Sequence, residues 1–273
     1  MSSPSASFAM WAGSWLAGVS APDDVIDAMA DWAPMHLVVA ADDATSVATG
    51  LSWPDPRAEG VPALLAAIRA YIPRPTDDTA VELLLPAPGA VENLTPGTEF
   101  TRAAVTAGQA VVLGEARGAG LGLVPTVEGP DVLRWTVFSV EIHDHYVRDY
   151  SLGEAEYAMR DAVRGAAEAL GSMAALPTRT ERGDSRTRIA NELAELTRHR
   201  YPTDTPERAL RVIESADRVS AILSVARDCA PTEAPTAVAA AAREDLIRPL
   251  WAAVRSARLS AVAAGIASSV TRG

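Results

Sequence analysis

Three apolar runs, at residues 109–113, 121–127 and 132–142, follow one another so closely that no crossover helix fits between them. Parallel neighbours need a connection of a dozen residues or more, so these runs must pair as an antiparallel meander. Gly118-Ala119-Gly120 and Glu128-Gly129-Pro130-Asp131 supply the reversals. Two earlier runs, residues 36–40 and 81–85, read as further strands of the same sheet. The second is mostly apolar and is therefore expected at the sheet's centre.

Helical spacing fills the segments between. Phe8, Trp11, Ala12, Trp15, Leu16 and Val19 predict a short amphipathic helix over 7–18. Pro22 with Asp23 and Asp24 makes a good helix start, and that helix runs toward Trp32. Further helices are expected from Thr45, over 62–72, and over 98–106. Trp53-Pro54-Asp55-Pro56 is a loop by its prolines.

From Ser151 the apolar period changes to 3.6. Ser151 and Glu154 form a capping-box pattern, and the helix behind it runs to Met173. A second ends at His199, a third starts at Thr205-Pro206-Glu207, and a fourth starts at Pro235. Pro249 is expected to kink or break that last helix. The fold class is therefore α+β. An acidic region, 1–150, holds a mixed, largely antiparallel sheet with flanking helices; 151–273 is a helical region of about four helices. The two are expected to pack as one body.

Composition sharpens this division and removes several chemistries. All 24 cationic side chains are arginine, so there is no lysine for a Schiff base, a pyridoxal-phosphate anchor or a P-loop. One cysteine, Cys229, allows no internal disulfide and no multi-cysteine metal site. Residues 1–150 hold 7 Arg against 19 Asp+Glu, and 151–273 hold 17 against 16, so the net charge of -11 belongs to the first region. The 54 alanines favour helices and close packing, which leaves room for self-association as a homo-oligomer. No run is long and apolar enough for a transmembrane helix, and residues 1–7 lack the basic start of a secretory signal, so a cytoplasmic protein without membrane partners is expected.

Four patterns carry candidate chemistry. His143 and His145 lie two apart after the last strand, and Asp149 follows. Two imidazoles on one strand face plus a carboxylate is a ligand set for zinc or iron, which would make the chain a metal-dependent, hydrolase-like enzyme. Against that stands a solvated strand end. Asp42-Asp43 resembles the acidic pair of response-regulator receivers, but that pocket also needs a lysine, so the pair reads as a helix cap. Gly118 to Gly122 could cradle a phosphate beside Arg117, but a strand rather than a helix N-terminus follows, which favours a hairpin. Trp11, Trp15, Trp32 and Trp53 crowd the first 53 residues, and Trp11, Trp15 and Trp53 with Arg117 are the candidate ligand-binding residues; core packing is the alternative.

Arginines at 179, 182, 186, 188, 198 and 200 sit among four acids and read as solvated helix faces, not as a nucleic-acid surface. No complete catalytic constellation emerges. The favoured reading is a non-catalytic interaction or small-ligand-binding protein. The metal-dependent enzyme is its alternative, and no cofactor is assigned.

Overall fold

The meander forms as its short connections require. β3 (Ala110–Glu115), β4 (Ala119–Gly129) and β5 (Val132–Glu141) are consecutive antiparallel strands. The computed structural model describes residues 3–76, 79–91, 94–142, 151–172, 179–228 and 237–272. Two more strands complete a five-stranded mixed sheet of order β1-β5-β4-β3-β2. β1 (Met35–Ala40) runs parallel to β5, and β2 (Thr79–Leu84) runs antiparallel to β3. The fold is α+β.

β2 is an edge strand, not the central one its apolar run predicts. An apolar run reports that both faces are covered, and an edge strand can satisfy that as well as a central one. Leu83 joins a row of buried side chains that crosses all five strands: Ala40, Val137, Leu123, Val111 and Leu83. Leu84, on the other face, belongs to a second cluster with Phe100, Val112, Val124 and Phe138. Gly122 lies in that second face because a Cβ there would stand 2.5 Å from the Phe100 ring. The glycines of 118–122 thus form a hairpin and the floor of a packed strand.

Helices cover the two faces unequally. α1 (Pro4–Leu16), α2 (Pro22–Ala30), α3 (Asp43–Thr49) and α4 (Gly60–Tyr71) pack among themselves and on the sheet. α5 (Glu99–Ala107), capped by Thr98, carries Phe100 and Ala104 to the other cluster. Asp42 caps α3 through the Thr45 N–H, and that hydrogen bond holds its carboxyl below the usual range.

α1 departs from the amphipathic helix expected over 7–18. Every residue of it except Trp11 is buried. Alanine, serine and glycine fill the positions between its large apolar groups, so the helix has no strongly polar face to turn to water.

The helical half comprises α6 (Leu152–Ser172), α7 (Arg179–Thr197), α8 (Glu207–Asp228) and α9 (Ala237–Arg272). Ser151 accepts a hydrogen bond from the Glu154 N–H at the start of α6. Pro249 does not break α9, which continues as one helix of 36 residues. The proline is exposed, so its ring meets solvent, and only one backbone hydrogen bond is forfeited. Arginines pair along their own helices, as Arg160 with Glu156 and Arg211 with Glu207. Arg208 reaches from α8 to Glu156 of α6 with two nitrogens, 3.3 and 3.1 Å, and lowers that carboxyl's pKa.

The chain divides into two compact units. One holds Ser3–Asp149, His199–Thr205 and Val262–Gly273; the other holds Tyr150–Arg198 and Pro206–Ala261 with the first two residues. In the helical unit Asp217 and Arg258 form a buried ion pair at 2.5 Å. Burial pushes the Asp217 carboxyl upward, against the pull of the guanidinium. Replacing Arg258 by Met should cost about 3–5 kcal/mol, because it strands a buried carboxylate. The Asp217→Leu/Arg258→Met pair should recover most of that loss in urea unfolding.

In the other unit, the indole N–H of Trp135 donates to His36 Nδ1 at 3.1 Å, and His36 Nε2 lies 3.0 Å from the Met29 carbonyl. An indole only donates, so the ring proton sits on Nε2 and the imidazole is neutral. Burial lowers the His36 pKa from its ordinary 6.5. The unfolded chain therefore takes up a proton that the folded chain resists, and stability present above pH 6.5 is lost as the pH falls below it. Urea midpoints between pH 7.5 and 5 should fall more steeply for the parent than for His36→Gln.

Candidate functional site

α1 can be buried all round only because two distant segments close over it. A Cβ on Gly13 would stand 3.1 Å from Ile266, and one on Gly265 would stand 2.6 Å from the Met10 methyl. Both glycines therefore let α1 and the end of α9 approach closely. The segment 199–205 is held through aromatic and polar contacts. Trp11 Nε1 donates to the Arg200 carbonyl at 3.0 Å, and Trp32 stacks on His199 with ring centroids 3.5 Å apart. Arg200 lies 3.8 Å from Asp31.

Asp204 joins all three segments. Its carboxylate accepts from Ser269 of α9 at 2.6 Å and, at the long limit of 3.5 Å, from Ser14 of α1. Ser268 donates to its main-chain carbonyl at 3.1 Å, and Ser20 lies 2.7 Å from Ser14. The aspartate is 5% exposed, so hydroxyl groups do for it what water does at a surface.

Beside this closure lies a groove of about 250 Å³. Gly13, Leu16 and Ala17 of α1 form one wall, and Ile266 and Val270 of α9 form another. Thr79 and Val81 of β2, with Pro75 and Thr76 before them, form the third. Among the described lining residues none carries a charge. Thr76 N–H donates to Thr79 Oγ1 at 2.8 Å, and Thr79 N–H donates back to the Thr76 carbonyl at 2.9 Å, which ties the two threonines of the third wall to each other. Val270 is 49% exposed at the rim. The space suits a ring or a branched side chain, with hydroxyls as its polar contacts. A larger and more open trough of about 500 Å³ lies between α7 and α8, lined by Arg188, Asn191, Glu192, Glu195 and Ser224 among others. Its polar side chains belong to a solvated helix face.

The candidate ligand-binding residues do not share one pocket. Trp11 and Trp15 are one turn apart on α1, where Trp11 anchors the Arg200 carbonyl and Trp15 lies under the Arg69 guanidinium at 4.5 Å. Trp53 is half exposed in the loop beside β1, and Arg117 sits in the β3–β4 hairpin with a left-handed φ of 61°. His143, His145 and Asp149 lie outside the described residues, as does Cys229. Among the described residues no group of three or more His, Cys, Asp or Glu is placed to hold a metal. No helix among them is long and apolar enough to cross a membrane. Sequence reasoning missed Asp204, Ser14, Ser268, Ser269 and the groove. The available signal was small residues, Gly13 and Gly265, set beside bulky ones in two helices far apart in the chain.

Comparison with known proteins gives two domain matches and several full-length relatives. The family model for the Rv1486c-like protein, N-terminal domain, matches residues 5–149, and that for the C-terminal domain matches 153–259. The chain is 40% identical to Uncharacterized protein Rv1486c of Mycobacterium tuberculosis (strain ATCC 25618 / H37Rv), covering 96% of each chain. It is 37% identical to Uncharacterized protein ML1804 of Mycobacterium leprae (strain TN), covering 95% of this chain and 96% of the relative. Uncharacterized protein MAV321 of Mycobacterium avium is 35% identical, again over 96% of each. No solved structure matches the chain.

The closure over α1 makes a direct prediction. Asp204→Ala removes the acceptor for two buried hydroxyls and should cost about 1–3 kcal/mol. Hydrogen exchange should rise first at residues 199–205 and at the end of α9.

Proposed function

The chain belongs to the Rv1486c-like protein family, matched over both of its domains, and on that premise we propose that it is a non-catalytic binding protein that takes a small apolar group into the groove between α1, β2 and the end of α9. The observation that carries this reading is the groove itself, whose described lining residues give carbon walls, threonine hydroxyls at one side and no charge. Four titratable groups among the described residues are occupied elsewhere. His36 is locked neutral between Trp135 and Met29, Asp42 caps a helix, Asp204 binds serines, and Asp217 pairs with Arg258. Each of these four serves the fold and is not offered to a bound molecule.

The test uses 4-fluorobenzyl alcohol, a ring with one hydroxyl, followed by fluorine NMR on the full chain. Saturable binding is expected, and Val270→Trp should abolish it by filling the groove from its exposed rim. Absence of binding to the parent protein overturns the reading. Native mass spectrometry of the purified chain settles the enzyme alternative. Stoichiometric metal that disappears in His143→Ala/His145→Ala would replace the binding protein with a metal-dependent one.

A further inference from the structure

The groove and the closure over α1 are built on the same turns of helix. Gly13 lines the groove, and the next residue, Ser14, reaches the Asp204 carboxylate. Val270 lines the groove, and the residue before it, Ser269, donates to that carboxylate at 2.6 Å. Ile266 belongs to both, since it lines the groove and lies against Gly13. Residues 199–205 are not among the described lining residues. They nevertheless carry Asp204, and they are tied to α1 through Trp11 and to α2 through the stack of His199 on Trp32.

Two walls of the groove, α1 and the end of α9, come from distant parts of the chain and are held together by these noncovalent contacts. If the end of α9 lifts from α1, Ile266 and Val270 leave and the groove loses a wall. An occupant that touches both walls therefore binds the closed arrangement and not the opened one, and it favours closure by a factor of 1 + [L]/Kd, where [L] is the free ligand concentration. Ser14 and Ser269 hold one carboxylate between them, so closure of the two walls also completes the seat of Asp204. The effect of an occupant then reaches a segment that it does not touch. Resting on the groove reading above, we propose that the groove is a ligand-controlled latch: an uncharged occupant fixes the end of α9 against α1 and, through Asp204, fixes residues 199–205.

The probe is 4-fluorobenzyl alcohol on the full chain, with binding followed by fluorine NMR and closure by amide hydrogen exchange. At ten times the Kd, exchange should slow about tenfold in 262–272 and in 199–205. The amides of α5, on the other face of the sheet, should change less than about twofold. In Asp204→Ala the alcohol should still slow 262–272, which it contacts, while the slowing at 199–205 should fall below about twofold. Ser269→Ala removes one hydroxyl and should give the same result in smaller measure, so it serves if Asp204→Ala does not fold. Binding without slowed exchange at 199–205 overturns the latch and leaves the groove reading standing. Absence of binding removes both. Equal slowing in α5 reports a general stabilisation and overturns the latch, and slowing at 199–205 that both variants leave undiminished overturns the route through Asp204.

Discussion

A helix with no face for water must be enclosed, and α1 is such a helix. The sheet lies against one side and α2 against another, and neither suffices. The remaining cover is brought by residues 199–205 and by the end of α9, the latter approaching closely beside glycines at 13 and 265. Burial of apolar surface drives this enclosure, and the serine–aspartate contacts prevent it from leaving a charge unsolvated. The α/β unit is therefore assembled from three stretches of chain, and the groove exists where those three meet without filling the space.

Much of the architecture was legible because it depends on local chemistry. Short connections dictated the meander, Pro22 and Thr98 marked helix starts, and the capping role of Asp42 followed from its position after a strand. What escaped depends on contacts between residues far apart. The apolar character of β2 reports covered faces and is silent on whether a strand lies on each side. α1 was misread because periodicity counts serine and glycine as a polar face, whereas here they are the small residues that let helices approach. The candidate site was barely legible. Its tryptophans drew attention by their density, yet they serve separate contacts, while the residues that enclose the groove are Gly13, Ala17, Thr79 and others that no motif marks.

Charge follows the same division of labour. In the helical unit, arginines and acids pair within a turn or across α6 and α8, and these exposed pairs contribute little stability individually. The buried Asp217–Arg258 pair is different, since neither partner can be removed alone without stranding the other. In the α/β unit the buried Asp204 is held by serine hydroxyls and not by a cation, and the contact between His36 and Trp135 is a neutral hydrogen bond.

The split composition of the α/β unit also bears on how the protein is made. Residues 262–272 supply part of the cover for a helix that begins at Pro4. During synthesis α1 leaves the ribosome well before this partner, which is encoded more than two hundred residues later. Until then its apolar flank has only the sheet and α2 against it, and the helical unit has time to form on its own. The α/β unit therefore closes only after the helical unit has been made, and the nascent chain carries an uncovered apolar helix throughout that interval.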